Sequence, residues 1–198
     1  MESCIVQLNF SAAFYRAGHS GILFKLKSIG VGGSVLSLCR EFLSNRRQRV
    51  VVDGAISEWI PIVSGMPQGS VLGPLLFILY ASEMFELVEN ILYPYADDST
   101  LLAVIRKPAD SPAVAASLDR DLAKIQEWYN HWSIILNPNK TKALVVSNSK
   151  IVNPPHGDLV LSGVSICASP ELDILGVKFD SMLTFEDQVR CIVSRVSQ

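Results

Sequence analysis

Two adjacent carboxylates, Asp97 and Asp98, stand in the segment YPYADDSTLL, residues 93–102. Apolar and aromatic residues surround them, so an uncompensated charge would be costly there. Mg²⁺ takes oxygen ligands and is usually held by one or two carboxylates together with substrate phosphates. Two such ions can stabilise the attacking and leaving oxygens of a phosphoryl transfer. The alternative is that both residues only form a turn, because Asp tolerates turn conformations.

The flanking residues predict that this acid pair lies at the tip of a β-hairpin. ILYPY and STLLAVI each show the apolar and β-branched content of a strand. Neighbouring strand residues point to opposite faces, so one carboxylate at most faces a given site unless the turn redirects the other. We expect Asp97 to be the one that does.

The rest of the chain predicts an α+β fold, an antiparallel sheet backed by helices. A buried strand, CIVQLNF, precedes helices over residues 19–30 and 34–45. Asp53–Gly54 predicts a tight hairpin, and Ser70 can cap a helix running to about Asn90. A long amphipathic helix follows, with three strands and a last helix after it. Its apolar positions are Val114, Leu118, Leu122, Ile125 and Trp128.

Composition narrows the class of protein. The chain has 198 residues, of which 49% are hydrophobic and 18% charged, which suits one well-buried domain. The net charge of −2 gives no support to a nucleic-acid partner. The longest apolar run is interrupted by Gly73–Pro74 and Glu83, so we expect no membrane span. No basic segment precedes an apolar one at the start, which predicts an intracellular protein and leaves nucleus or cytoplasm open.

The four cysteines predict neither a zinc site nor a disulfide framework. Cys4, Cys39, Cys167 and Cys191 are widely spaced, and the sequence has no CxxC pair. Reduced thiols in the core are the expectation.

Four motifs occur in an order that resembles the palm of reverse transcriptases from non-LTR (LINE-type) retrotransposons. They are SGMPQGSVLGPLLFILY at 64–80, YADD at 95–98, NPNKTKALVVS at 137–147 and ILGVKFD at 174–180. The resemblance implies a right-hand polymerase palm over residues 1–198, with RNA template, DNA primer and dNTP as partners and Mg²⁺ as cofactor. It also implies that the fingers and thumb are largely missing from this chain and are encoded nearby.

The resemblance also assigns roles to single residues. Asp97 matches a metal ligand and Asp98 its companion, while Gln68 and Gly69 match the segment against the incoming nucleotide and template. Phe14 matches the aromatic residue that excludes a 2′-hydroxyl, and its alternative is a core Phe.

Two further roles follow from the resemblance. Lys140 matches the lysine thought to protonate the leaving pyrophosphate, and its alternative is a solvated loop residue. Leu175, Gly176 and Val177 resemble the turn that supports the primer end.

A basic cluster lies beside the predicted hairpin. Arg46, Arg47 and Arg49 could contact a phosphate backbone. An equally good alternative is a charged edge that discourages strand pairing.

The chain departs from the family in the strand that carries the first metal-binding residue. The family strand reads hydrophobic-x-D-F-S-x-A-F-D, and this chain has QLNFSAAFY. Asn9 therefore stands at the expected metal-binding Asp, and Tyr15 where a second Asp commonly follows. Pro94 is a further departure, because proline suits strand edges or bulges. We expect a catalytically impaired polymerase, and the alternatives are a working subunit or a non-catalytic nucleic-acid-binding relic of the same fold.

Overall fold

The chain divides into two compact units in a computed structural model that describes residues 2–11, 13–95, 98–132, 134–147, 159–166 and 168–197. The sheet unit contains Met1–Phe10, Leu87–Glu127 and Leu136–Gln198. The helical unit contains Ser11–Glu86 and Trp128–Ile135. The content of helix and strand confirms a mixed α+β fold.

Seven α-helices lie within the described residues: α1 Ala13–Arg16, α2 His19–Ser28, α3 Gly33–Leu43, α4 Leu72–Ala81, α5 Met84–Leu87, α6 Ser111–His131 and α7 Glu186–Val196. The first nine strands are β1 Glu2–Ser11, β2 Arg47–Gln48, β3 Val51–Val52, β4 Ala55–Ile56, β5 Ile60–Pro61, β6 Ile91–Tyr95, β7 Asp98–Ile105, β8 Ile135–Leu136 and β9 Lys142–Ser147. The last four are β10 Leu159–Leu161, β11 Val164–Ile166, β12 Glu171–Ile174 and β13 Val177–Asp180.

The main sheet has five strands, in the order β6–β7–β1–β8, and β9 also pairs with β1. The β1 pairings with β7 and β9 are antiparallel, as is that of β6 with β7. Burial alternates along β1 and β7, and the fully buried set includes Cys4, Val6, Leu8, Leu101 and Ala103. One face of the sheet is therefore core, and the face that carries Asn9 and Asp98 is more open.

Strand β6 is an edge strand of this sheet as far as the described residues extend. It contains Pro94, whose Cα partner is Ser99 of β7. Since proline has no N–H to donate, an edge is where a strand tolerates it.

Helix α6 confirms the predicted amphipathic pattern. Leu118, Leu122 and Ile125 are fully buried. Asp121 lies in the same buried stripe, and its carboxylate accepts hydrogen bonds from the backbone N–H groups of Glu89 at 2.8 Å and Asn90 at 2.9 Å. The helix thereby fixes the turn through which the chain enters β6.

Helix α4 is shorter than the sequence predicts. The N-cap position is Val71, and the Ser70 hydroxyl, one residue earlier, accepts a hydrogen bond from the Gly73 N–H at 3.1 Å. The helix nevertheless ends at Ala81, not near Asn90. The short helix α5 follows, and Asp121 takes the N–H groups of Glu89 and Asn90, which a helix reaching Asn90 would need for its own carbonyls.

In the helical unit, α2 and α3 confirm the predicted pair of helices with a break at Gly30–Gly32. Lys25 of α2 is 2% exposed, forms an ion pair with Glu83 and lies 4.6 Å from the centroid of the Trp132 ring. Burial lowers the pKa of Lys25. The ion pair and the aromatic face compensate a charge that would otherwise be costly to bury.

The predicted hairpin around Asp53–Gly54 is confirmed. Both residues have positive φ, 48° and 83°, as a tight hairpin turn requires. β3 pairs with β4 and β2 with β5 in antiparallel fashion. The resulting two-stranded segment, residues 46–63, is called the arginine ribbon below.

The remaining predictions concern the C-terminal elements and the cysteines. Hairpins β10–β11 and β12–β13 and helix α7 occur where strands and a helix are predicted. Cys4 and Cys39 are buried free thiols, Cys191 is half-buried, and Cys167 lies outside the described residues. Burial raises the pKa of Cys4 to about 12, which keeps this thiol protonated. No helix in the described ranges is long and apolar enough to cross a membrane.

Candidate functional site

Asn9 and Asp98 are direct partners in the pairing of β1 with β7. Both residues are half-buried, and Tyr95 pairs with Asp98 from the other side. Residues opposite each other in an antiparallel pair lie on the same face of the sheet. The sheet register therefore places the one described carboxylate of the acid pair beside the amide at position 9. Asp97 lies outside the described residues, and its orientation stays a prediction.

Both described donors on this face carry oxygen atoms, the ligand type that Mg²⁺ takes. Asp98 supplies one carboxylate, whereas Asn9 supplies a neutral amide oxygen with no charge. In the described ranges no group of three or more His, Cys, Asp or Glu residues could hold a metal ion. Asp97 adds one more carboxylate by sequence, which is still fewer than the family pattern provides.

A groove of about 280 Å³ lies beside Asp98 in the sheet unit. One wall comes from the acid-pair hairpin, with Tyr93, Tyr95 and Asp98. The other comes from Ile174 and Leu175 of the β12–β13 hairpin. The structure thus brings the predicted primer-support turn next to the predicted metal-binding hairpin.

The turn between β12 and β13 has an unusual backbone. Leu175 has φ of 53° and Gly176 of 79°, the combination of a two-residue hairpin turn. A left-handed conformation is unfavourable for leucine, and the Leu175 side chain is 55% exposed, so core packing does not compensate it. The Gln7 side chain donates to the Asp173 carbonyl oxygen at 2.6 Å and ties this hairpin to β1.

Lys140 lies on a segment attached to Asn9. The Asn137 N–H donates to the Asn9 carbonyl oxygen at 2.9 Å, and a short 3₁₀ helix, Pro138–Lys140, follows. Lys140 is exposed. Its backbone is thus held near the candidate site, while its role as a proton donor stays a prediction.

In the helical unit, the segment that begins SGMPQG is clamped to residues 14–19. The N–H groups of Gly65 and Met66 donate to the carbonyls of Ala17 and Phe14, each at 2.8 Å. A Cβ on Gly65 would lie 2.7 Å from the Tyr15 carbonyl oxygen, and its φ is 84°. Only glycine meets both conditions, which explains its place in the motif.

This clamp forms one side of a groove of about 200 Å³. Its lining includes Tyr15, Arg46, Gln48, Met66 and Gln68. The structure therefore brings Gln68, predicted to lie against nucleotide and template, together with Arg46 of the basic cluster. Gly69 follows with φ of 76° and open space around it.

Phe14 packs on another aromatic ring. Its ring centroid is 4.4 Å from that of Phe77, with 18° between the planes. This stack agrees with the core alternative, and the predicted role against a sugar stays a prediction.

Sequence reasoning missed two residues near these grooves. Asp121 positions β6. The signal in the sequence was that this charged residue lies three positions after Leu118, on the apolar face of α6. Trp59 is 54% exposed, and the Arg49 guanidinium lies 4.7 Å from the centroid of its ring. The signal in the sequence was a tryptophan ten residues after Arg49 of the basic cluster.

Comparison of the amino-acid sequence with known protein families gives one match. Residues 1–179 match the sequence model of the family described as reverse transcriptase (RNA-dependent DNA polymerase). The RNA-directed DNA polymerase from mobile element jockey of Drosophila melanogaster is 32% identical over 190 residues, covering 92% of this chain and 20% of that protein. The probable RNA-directed DNA polymerase from transposon X-element of the same species is 30% identical over 195 residues, covering 96% of this chain and 21% of that protein. The chain spans about a fifth of the length of these relatives.

Solved structures with a similar fold include telomerases. Apo telomerase from Candida tropicalis, truncated from its C-terminal domain, superposes with a TM-score of 0.61 at 13% identity and covers 93% of this chain and 35% of that one. Telomerase from Candida albicans, in complex with the TWJ fragment of telomeric RNA, gives a TM-score of 0.59 at 13% identity, with 92% and 31% covered. At this identity the likeness concerns the fold.

Proposed function

Because this chain belongs to the reverse transcriptase (RNA-dependent DNA polymerase) family, we propose that residues 1–198 form one reverse transcriptase domain whose nucleotidyl transfer is impaired. The relatives from jockey and X-element make it a domain of non-LTR retrotransposon origin. The reaction of the domain by descent is transfer of a nucleotide from a dNTP to a primer 3′ end. In this proposal the sheet unit is the polymerase palm.

The pairing of Asn9 with Asp98 is the observation that carries the proposal. By resemblance, position 9 should supply a carboxylate on the same face of the sheet as the acid-pair hairpin. The strand and its register are in place, so the departure concerns the donor group and not the fold. An amide leaves the site one charge short for binding cations beside a triphosphate.

Asp97, Asp98 and Asn9 are the residues that would hold Mg²⁺ in this proposal. The ion would stabilise negative charge that develops on the reacting phosphate, a contribution of several kcal/mol. Since ~1.4 kcal/mol is tenfold in rate, losing part of this contribution predicts a rate at least ~10²-fold below that of an intact relative.

The other assignments follow from the family. RNA template and DNA primer are the proposed macromolecular partners, and dNTP is the proposed substrate. Gln68, Gly69 and Phe14 would contact the nucleotide, Lys140 would donate a proton to the leaving pyrophosphate, and Leu175–Val177 would support the primer. Lys140 and Leu175 are exposed, so both are accessible for these roles.

Primer extension on a primed RNA template tests the proposal. The parent chain is compared with the Asn9→Asp variant and the Asn9→Asp/Tyr15→Asp double variant, each alone and fused to the flanking segments of a related reverse transcriptase. We expect faint synthesis by the parent and roughly 10²-fold more by the fused double variant. Asp97→Ala in the double variant is the control that should abolish synthesis. Equal, robust synthesis by parent and variants would show that the polymerase is not impaired.

A second candidate function is nucleic-acid binding without catalysis. The exposed pair of Arg49 and Trp59 favours it, because neither residue belongs to the acid-pair site. Binding of an RNA/DNA hybrid that weakens with salt, with no synthesis by any variant, would support this candidate.

A further inference from the structure

The arginine ribbon (residues 46–63) consists of two short antiparallel ladders that follow each other along the two strands. β2 pairs with β5 and β3 with β4. Between these pairs the Ser57 N–H donates to the Val50 carbonyl at 2.9 Å. At the end away from the turn, the Ile62 N–H donates to the Arg46 carbonyl at 2.9 Å. The β2–β5 ladder therefore fixes the sides from which Arg47 and Gln48 project.

Its basic residues project from both sides. Arg46 and Gln48 line the groove that also contains Gln68. Strand residues alternate, so Arg47 and Arg49 project from the opposite side. Arg47 pairs with Pro61, and Trp59 lies two residues before Pro61 and in contact with Arg49. Arg47, Arg49 and Trp59 therefore share one side, called the outer face of the ribbon.

The outer face has free positive charge and a free aromatic surface. None of the ion pairs found in the described part of the chain involves Arg46, Arg47 or Arg49. Arg49 lies over the Trp59 ring, and 54% of Trp59 is exposed. Nucleobases stack on such aromatic and guanidinium surfaces, while arginines also bind phosphates.

We propose that the outer face of the ribbon binds single-stranded RNA, with Arg47 and Arg49 on phosphates and Trp59 stacked on a base. The inference deepens the proposed function, on which it rests, because it assigns the RNA strand a contact outside the acid-pair site. The unpaired arginines favour nucleic acid over a protein partner for this face. Val51 and Ile56, which are also exposed, pair with each other next to the tip of the ribbon.

Fluorescence anisotropy of the full chain with a labelled single-stranded RNA tests the proposal. Trp59→Ala should weaken binding about 5-fold or more, the effect of losing one stacked base. Trp59→Phe should retain most of the affinity, whereas Trp59→Leu, which keeps apolar bulk, should not. Arg47→Gln/Arg49→Gln should lower the slope of log K against log salt by about 1.4, since each phosphate contact on a single strand contributes about 0.7.

Matched controls come from exposed residues elsewhere. Arg106→Gln removes an exposed arginine and Phe85→Ala an exposed aromatic ring, and neither should change binding. A duplex RNA of the same length should bind the parent more weakly than the single strand, because its bases have no free face. Circular dichroism establishes that each variant is folded.

The outcomes separate this inference from the proposed function. Equal affinity and equal salt slope for parent, Trp59→Ala and the double arginine variant would overturn the outer face as an RNA site. So would undetectable binding by the folded parent at low salt. The proposed function has its own test: unimpaired primer extension by the parent would contradict it, whatever the result of the binding experiment.

Discussion

Asn9 lies directly opposite Asp98 across two strands of the main sheet, so an amide faces the position that holds a carboxylate. Replacing Asn9 by Asp would place two like charges at directly opposed positions. Without metal we expect Asn9→Asp to lower the free energy of unfolding by about 0.2–1 kcal/mol.

Mg²⁺ should reverse this loss, because a ligand that binds only the folded state stabilises it. The measurement is thermal unfolding with and without Mg²⁺, and the Mg²⁺-induced rise in Tm should be larger for Asn9→Asp than for the parent. Asp98→Asn in the Asn9→Asp background removes the repulsion and is the control. An identical Mg²⁺ response in parent and variant would contradict the placement of position 9 at a cation site.

Asp121 should be important for stability because it holds the turn that leads into β6. Its buried carboxylate accepts two backbone N–H groups and the Asn90 side-chain amide at 2.8 Å. We expect Asp121→Ala to cost about 1–3 kcal/mol in the free energy of unfolding, because these donors lose their partner. Urea denaturation measures the change, and the exposed Glu127→Gln on the same helix is the control. A cost below that of the control would refute the role in fixing β6.

Gly65 and Gly69 form a matched pair for the clamp in the helical unit. Both have positive φ, 84° and 76°, but a Cβ on Gly65 meets the Tyr15 backbone, whereas one on Gly69 meets open space. Gly69→Ala should cost about 1–2 kcal/mol for its backbone conformation alone. Gly65→Ala should cost clearly more, because the clash adds to the same conformational cost. Equal midpoints of thermal unfolding for Gly65→Ala and Gly69→Ala would show that the Tyr15 backbone moves away from the added Cβ at little cost.

Leu175 should be replaceable by Asn with a gain in stability. Asn tolerates the left-handed conformation, and Asn-Gly is the preferred pair for this turn type. We expect Leu175→Asn to raise the free energy of unfolding by about 0.5–1 kcal/mol, part of the strain that leucine bears. Val177→Asn is a control on the same hairpin that has no positive φ to relieve. If primer extension by the fused double variant falls as stability rises, the leucine is retained for primer support.

Asp180 should give the turn before α7 a pH dependence at low pH. Backbone N–H groups, first that of Thr184 and then those of Phe185 and Met182, hold the pKa of this carboxyl at about 2, below its usual 3.8. Because the folded pKa is the lower one, the stabilisation is full above pH 3.8 and is lost as the pH falls toward 2.

Amide chemical shifts of Met182, Thr184 and Phe185 should therefore titrate together near pH 2. Asp180→Asn should remove this transition. Glu89, whose pKa Arg120 and Lys124 hold at about 2, should titrate independently in that variant. If the three amide shifts instead titrate with a midpoint near pH 4, the backbone N–H groups of the turn do not bind the Asp180 carboxylate.

The sequence predicts those features whose signals are local. The acid-pair hairpin, α6 and the Asp53–Gly54 turn follow from alternation, helical periodicity and turn chemistry, because neighbours along the chain decide them. The absence of a helix at Asn90 does not, since Asp121, 31 positions after Asn90 in the sequence, accepts the Asn90 N–H.

In the candidate site, too, local features are predictable from the sequence and contacts between distant segments are not. Motifs identify Asp98 and Gln68, but the pairing of Asn9 with Asp98 and the groove shared by Gln68 and Arg46 depend on contacts between distant segments. The left-handed Leu175 runs against the preference of its residue type, so no propensity could predict it.

Pro94 on the edge strand β6 has a consequence for the solubility of the domain. An exposed edge offers unpaired N–H and C=O groups to any other chain that arrives as a strand, and this is a common start of aggregation. Proline offers no N–H and interrupts that template three residues before Asp97. The hairpin that carries the acid pair is thereby protected from sheet extension along β6.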